Sequence, residues 1–142
     1  MPTLPQGETV PNYVNILPAA YADAILTLPD HAYHVIERIS LTLATDATAA
    51  ARRVSIRYDH AAAEFTRYTT NIDQPANTTY IYSFMPAIND ATAAVNSYWH
   101  GPLPYPMLLR GGTLIRAQCW NMQAGDQFNM KVLYRPYIIP SD

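Results

Sequence analysis

The chain has 142 residues, 49% of them hydrophobic and only 14% charged, with a net charge of −2 and a pI near 6.0. One domain of this size buries about 70% of the surface its unfolded chain exposes, so a self-sufficient core is expected. The few arginines are scattered rather than gathered into a phosphate-neutralising face, and no segment approaches the roughly 18 apolar residues of a membrane span, so neither nucleic acid nor membrane is expected as a partner.

Residues 1–30 differ from the rest. Pro2, Pro5, Pro11, Pro18 and Pro29 remove backbone donors and bias their neighbours to extended geometry, which excludes a central strand. The first residues lack the basic region and apolar run of a signal peptide, so the chain is expected to be made as a soluble cytosolic product or released by another route. Residues 19–26 are good helix formers, enough for two turns. Val14, Ile16, Leu17, Tyr21, Ile25 and Leu26 are too many apolar residues for an idle linker. Residues 1–30 therefore read as an extended Pro-rich N-terminal arm lying against a surface, its own or a neighbour's, and residues 31–142 as the folded domain.

From Tyr33 the period becomes two. Ile39, Leu41 and Leu43 alternate with Arg38, Ser40 and Thr42, and Val54, Ile56 and Tyr58 with Arg53, Ser55 and Arg57, as half-buried strands do. The alanine-rich stretch between them is too short for a stable helix and reads as a loop. Residues 64–70 and 78–85 make two further strands, the second aligning Tyr80, Tyr82 and Phe84. Residues 86–95 read as a loop or short helical turn, and residues 97–100 as a brief strand. Pro102, Pro104 and Pro106 enforce an extended, ladder-poor stretch, and Gly111 with Gly112 marks a turn. Residues 113–120 and 127–134, joined by the turn 121–126, read as a closing hairpin in which Phe128, Met130, Val132 and Tyr134 share one face. About eight short strands with faces that need covering predict an all-β fold, an antiparallel two-sheet β-sandwich of jelly-roll type.

Chemistry-bearing residues are sparse. His31 and His34 beside Asp30 have no second ligand cluster nearby in sequence, so no metal is expected. Asp59 and His60 stand at a strand end, where turn hydrogen bonding is the ordinary role. Trp99, followed by His100 and Gly101, has a ring face suited to a sugar, with core or interface packing the stronger expectation. No carboxylate pair or nucleophile with a base is recognisable, and the glycine pair lacks the lysine of a phosphate loop, so neither enzymatic activity nor a cofactor is expected. Cys119 is the only cysteine, which excludes an intrachain disulfide, and it alternates with Ile115 and Ala117 as buried filler.

What the chain has in excess is contact chemistry. There are eleven tyrosines against three phenylalanines, with Tyr13, Tyr21, Tyr33, Tyr98, Tyr105 and Tyr137 in the arm, in loops or near the end. Eight arginines stand against the single Lys131, and a guanidinium is favoured where forked or stacked contacts are made. A surface so poor in charge fits a chain partly covered by another protein, or one kept soluble by its Thr, Asn, Gln and Ser. The candidate partner-interface residues are Tyr13, Val14, Ile16, Leu17, Tyr21, Ile25, Tyr98, Trp99 and Tyr105.

Residues 39–48 with 52–57, and 108–116 with Gln123, Ala124, Gly125 and Asp126, resemble segments of small structural proteins of tailed bacteriophages. The resemblance spans roughly residues 35–137 as a pattern of hairpins and turns. It implies a β-sandwich or jelly-roll protein that decorates or cements the capsid by bridging neighbouring major capsid subunits, acts as a trimer or dimer, reaches across a seam with a terminal arm, and resides on the outer capsid surface after synthesis in the host cytoplasm. Two alternatives stay open: a tail-tip or fibre module holding glycans through Trp99, His100 and loop tyrosines, and a head-to-tail connector component.

Overall fold

Alternation of period two governs the structure, a computed structural model that describes residues 11–86, 92–95, 98–103 and 108–137. Among these residues the chain forms eleven strands and no helix: β1 (Asn12–Ile16), β2 (Ala24–Thr27), β3 (Tyr33–Ala44), β4 (Arg53–His60), β5 (Ala63–Thr69), β6 (Thr79–Met85), β7 (Thr92–Val95), β8 (Tyr98–Pro102), β9 (Leu109–Arg110), β10 (Leu114–Trp120) and β11 (Gln127–Tyr137). They make two sheets. The larger runs β1-β11-β3-β6-β8-β7, with β9 paired to the start of β3, and the smaller runs β2-β10-β4-β5. The inward residues of both form one core, in which Ile39, Leu41 and Leu43 meet Val54, Ile56 and Tyr58, with Phe128, Met130 and Val132 beside them. Each such side chain contributes about 1.5–3 kcal/mol through burial.

The expected closing hairpin is not one. β10 pairs with β2 and β4, whereas β11 pairs with β1 and β3, so residues 121–126 carry the chain from one sheet to the other. Both strands have an apolar face, and each face is satisfied by looking at the other across the core rather than by lying side by side. The strand set also departs from pure antiparallel pairing, because β8 runs parallel to β6, placing Trp99 beside Tyr82 and Gly101 beside Phe84. Residues 92–95, expected in a loop or turn, form β7 and pair with β8. The extended reading of residues 104–107 lies outside the described residues.

The N-terminal segment is woven into the fold. Val14 and Ile16 of β1 sit opposite Val132 and Met130, and β2 adds to β10. The two turns of helix expected over residues 19–26 give way to a turn and then β2, because Ala24, Leu26 and Leu28 fall at every second position and are buried while Ile25 and Thr27 face out. Propensity yields to the buried face. Of the expected arm, residues 1–10 lie outside the described residues, and residues 12–27 supply the outermost strand on one side of each sheet.

A bulge in β3 shifts its phase. Leu133 stands opposite Arg38 and Tyr134 opposite Ile36, so Glu37 is the extra residue. His34 and Ile36 are buried before it, Ile39 and Leu41 after it, and Arg38 is turned to the outer face.

Two buried tyrosines provide a matched test of the core. Tyr82 donates its hydroxyl to Gln74 Oε1 at 2.8 Å, whereas the Tyr58 hydroxyl is buried without a partner. Burial raises the pKa of both phenols. Tyr58→Phe is therefore expected to be neutral or to stabilise by up to about 1 kcal/mol, and Tyr82→Phe to destabilise by about 1–2 kcal/mol by orphaning the Gln74 oxygen. Urea denaturation of the two variants checks the contrast.

Candidate binding surface

One end of the sandwich is closed by buried charge. Four connections between the sheets, residues 17–23, 45–52, 70–78 and 121–126, meet there around Arg52, whose side chain is fully buried. Its guanidinium grips Asp126 through Nε at 2.9 Å and Nη2 at 3.1 Å, reaches Asp46 Oδ1 through Nη2 at 2.9 Å and donates to the Ala50 carbonyl at 2.9 Å. The carboxylates are saturated in turn. Asp126 accepts the Asp46 and Gln123 N–H groups, and Asp46 accepts those of Thr48 and Gly125. The Asp126 carbonyl takes the Tyr21 N–H, and Arg52 and Gln74 exchange two backbone hydrogen bonds. Sequence reasoning assigns Arg52, Asp46 and Asp126 no joint role. With every strong group satisfied internally, it acts as a clasp and not as a site.

The outer face of the smaller sheet is a closed ionic mosaic. Arg116, Arg57 and Arg67 stand directly opposite one another on β10, β4 and β5. Like charges so placed repel. Asp59, buried beneath them, holds Arg57 Nη2 at 2.8 Å and Arg116 Nε at 3.4 Å, Glu64 takes Arg67 at 2.5 Å, and Asp23 lies 3.4 Å from Arg116 Nη1. The Gln118 amide oxygen bridges Arg57 and Arg67. Asp59 is thus an ion-pair anchor instead of a turn residue. The turn after it is built by Ala61 and Ala62, at φ 53° and 65°.

The outer face of the larger sheet is different. The row Asn15, Lys131, Ser40, Ser83, His100 crosses β1, β11, β3, β6 and β8, and next to it runs Tyr13, Leu133, Arg38. Tyr13, Arg38, Ser40, Lys131 and Leu133 line a groove of about 320 Å³. Arg38 donates to Ser83 Oγ at 3.1 Å. Neither Arg38 nor Lys131 has a carboxylate partner among the described residues, and the bulged Glu37 is taken by Arg135 at 2.8 Å.

The expected interface residues divide into groups. Tyr13, Leu17 and Tyr21 are 62%, 67% and 62% exposed, and Ile25 and Tyr98 are also exposed. Val14 and Ile16 pack partly against the core. For Trp99 the interface expectation is corrected while core packing stands: it is fully buried, its indole N–H bonded to Asn71 Oδ1 at 2.9 Å, with Tyr68, Tyr82 and Phe84 around the ring. Tyr105 lies outside the described residues. His34 is buried and its Nε2 meets the Pro29 carbonyl at 2.8 Å, while His31 is exposed in the turn, so the two do not form a ligand pair. Among the described residues no group of three or more His, Cys, Asp or Glu side chains is placed to hold a metal ion. Cys119 is half-buried on the inner face of β10, where burial, reinforced by Asp126, pushes its thiol up to about 12. Against protein-family models, curated proteins and solved structures alike, the chain has no match.

Proposed function

We propose that the chain is a non-enzymatic structural protein of a virion that decorates or cements the capsid by bridging neighbouring major capsid subunits. One observation supports the reading most. The N-terminal segment supplies an edge strand to each sheet, β1 and β2 approach each other at those edges, and Tyr13, Leu17 and Tyr21 along the segment are exposed. An edge whose outer backbone groups are unpaired among the described residues, with large exposed apolar side chains, suits strand addition or pocket insertion by a partner. Each 100 Å² of apolar area covered at a seam is worth about 2.5 kcal/mol before ordering costs, and repetition over a lattice multiplies it. Jelly-roll kinship, a trimeric or dimeric state and an outer-surface location belong to the same reading. The glycan alternative loses the Trp99 platform.

The combined variant Tyr13→Ser, Leu17→Ser, Tyr21→Asn tests the edge. Asn is chosen at position 21 because the backbone there has φ 65°. In co-sedimentation with shells stripped of this chain, the variant should lose binding by about a hundredfold while its melting temperature stays within a few degrees of the parent. Unchanged binding would remove the N-terminal edge as the contact.

A further inference from the structure

We propose that the groove between Tyr13, Arg38 and Lys131 is the docking site for an acidic, extended segment of a protein partner, with carboxylates at alternate positions. From the virion reading this takes only that the chain has a protein partner.

The ion-pair inventory points to this groove. Arg52, Arg53, Arg57, Arg67, Arg116 and Arg135 each hold a carboxylate. Arg38, Lys131 and Arg110 hold none among the described residues; Arg38 and Lys131 share one groove, and Arg110 stands apart on β9. Two adjacent cations on one face without a carboxylate form a local field that an anion would complete. The bulge at Glu37 strengthens the case. It is what turns Arg38 outward, and bulges recur where a strand must re-aim a side chain.

Geometry specifies the ligand. Arg38 stands opposite Leu133, so Lys131 is its diagonal neighbour on the same face. Diagonal neighbours on paired strands lie about 7–8 Å apart. In an extended chain, residues two apart are separated by about 6.6 Å and point the same way. An acidic residue at every second position therefore matches the two cations, with Arg38 offering a forked contact and Lys131 a point charge. The bond to Ser83 Oγ on β6 holds the guanidinium on the side of β3 away from β11. The two-residue repeat therefore matches the backbone positions of Arg38 and Lys131, and the flexible Lys131 stem makes up the remaining distance. Tyr13 and Leu133 give the groove an apolar flank for side chains between the acids.

A second copy of this chain is a poor occupant. Asp23, Glu37, Asp46, Asp59, Glu64, Asp73 and Asp126 are already engaged by arginine, leaving Asp30 alone among the described carboxylates. No two acidic residues of this sequence stand two positions apart, so a second copy offers no segment of the required pattern and the acid comes from a different protein.

The test uses the full chain, ¹⁵N-labelled, titrated with a blocked peptide of alternating glutamate and valine, its glutamine counterpart, and inorganic phosphate. The glutamate peptide should shift the amides of Tyr13, Ser40, Lys131 and Leu133, and binding should weaken as salt rises. The double variant Arg38→Glu, Lys131→Glu should bind at least about tenfold more weakly, with Arg110→Glu, a cation on β9 outside the groove, unchanged. Equal binding by the glutamine peptide, full competition by phosphate at matched concentration, or unchanged affinity in the double variant would each overturn the proposal. Because the peptide reads the groove directly, its failure leaves the virion reading standing, and loss of the virion reading leaves the peptide result intact.

Discussion

Arg52→Ala should lower the free energy of unfolding by about 3–5 kcal/mol, a large share of the roughly 5–15 kcal/mol available to a domain of this kind. The effect is large because the guanidinium is buried and shared. Removing it strands Asp126, which is fully buried, and frees the four connections that Arg52, Asp126 and Gln74 hold together. Chemical denaturation should show the midpoint falling with little change in slope. Arg52→Met combined with Asp126→Leu should recover part of the loss, since an apolar pair avoids the orphaned charge that the single change leaves. The same cluster sets the acid limit. The Thr48 N–H, helped by Gly125 and Arg52 and opposed by burial, holds the Asp46 carboxyl below its ordinary value of 3.8. A carboxyl with a depressed folded pKa gives stability that is fully present above its unfolded value and is lost as pH falls through the folded one. Stability should therefore hold down to about pH 4 and decline below it, with a shallower decline in Asp46→Asn.

Gly101→Ala should destabilise by about 3 kcal/mol, more than an added methyl group usually does in a core. A Cβ at this position would lie 2.1 Å from the Trp99 ring at Cη2 and 2.6 Å at Cζ3. The ring has nowhere to go. Phe84 sits with its centroid 5.2 Å away, Tyr68 and Tyr82 at 5.9 Å, and the indole N–H is tied to Asn71. Trp99→Phe should lower stability alone but relieve the Gly101→Ala penalty in the double variant, so the two changes should be clearly non-additive. Thermal unfolding of the four-member cycle gives the answer. Additive losses would mean that the ring does not lie over Gly101.

Much of this architecture is legible in the sequence, because a period of two is hard to disguise. The faces of Ile39 to Leu43, Val54 to Tyr58 and Phe128 to Tyr134 are where the alternation puts them. What alternation does not encode is which strand lies next to which. β10 and β11 are neighbours in sequence with apolar faces and a short connection, a description that fits a hairpin and a crossing between sheets equally well. Residues 19–26 show the opposite failure, in which alanine-rich propensity masks the short alternation of Ala24, Leu26 and Leu28.

The clasp left a signal that was readable. Arg52 continues the inward phase of Val54, Ile56 and Tyr58, and Asp126 that of Phe128 and Met130, so opposite charges at inward positions at the same end of two strands announce a buried pair. Glu37 is likewise visible as the place where His34 and Ile36 fall out of phase with Ile39. The groove beside Arg38 has no such signature, because it depends on which cations remain unpaired after folding. Trp99 could not be assigned from sequence either. Only the parallel placement of β8 beside β6 brings it under Tyr82 and Phe84.

The virion reading is tested most directly by the copy number of this chain per particle, from quantitative mass spectrometry of purified virions against the major shell protein. A lattice-wide decoration predicts copies comparable in number to the shell subunits or their capsomers. A dozen or fewer per particle, or none, would contradict it.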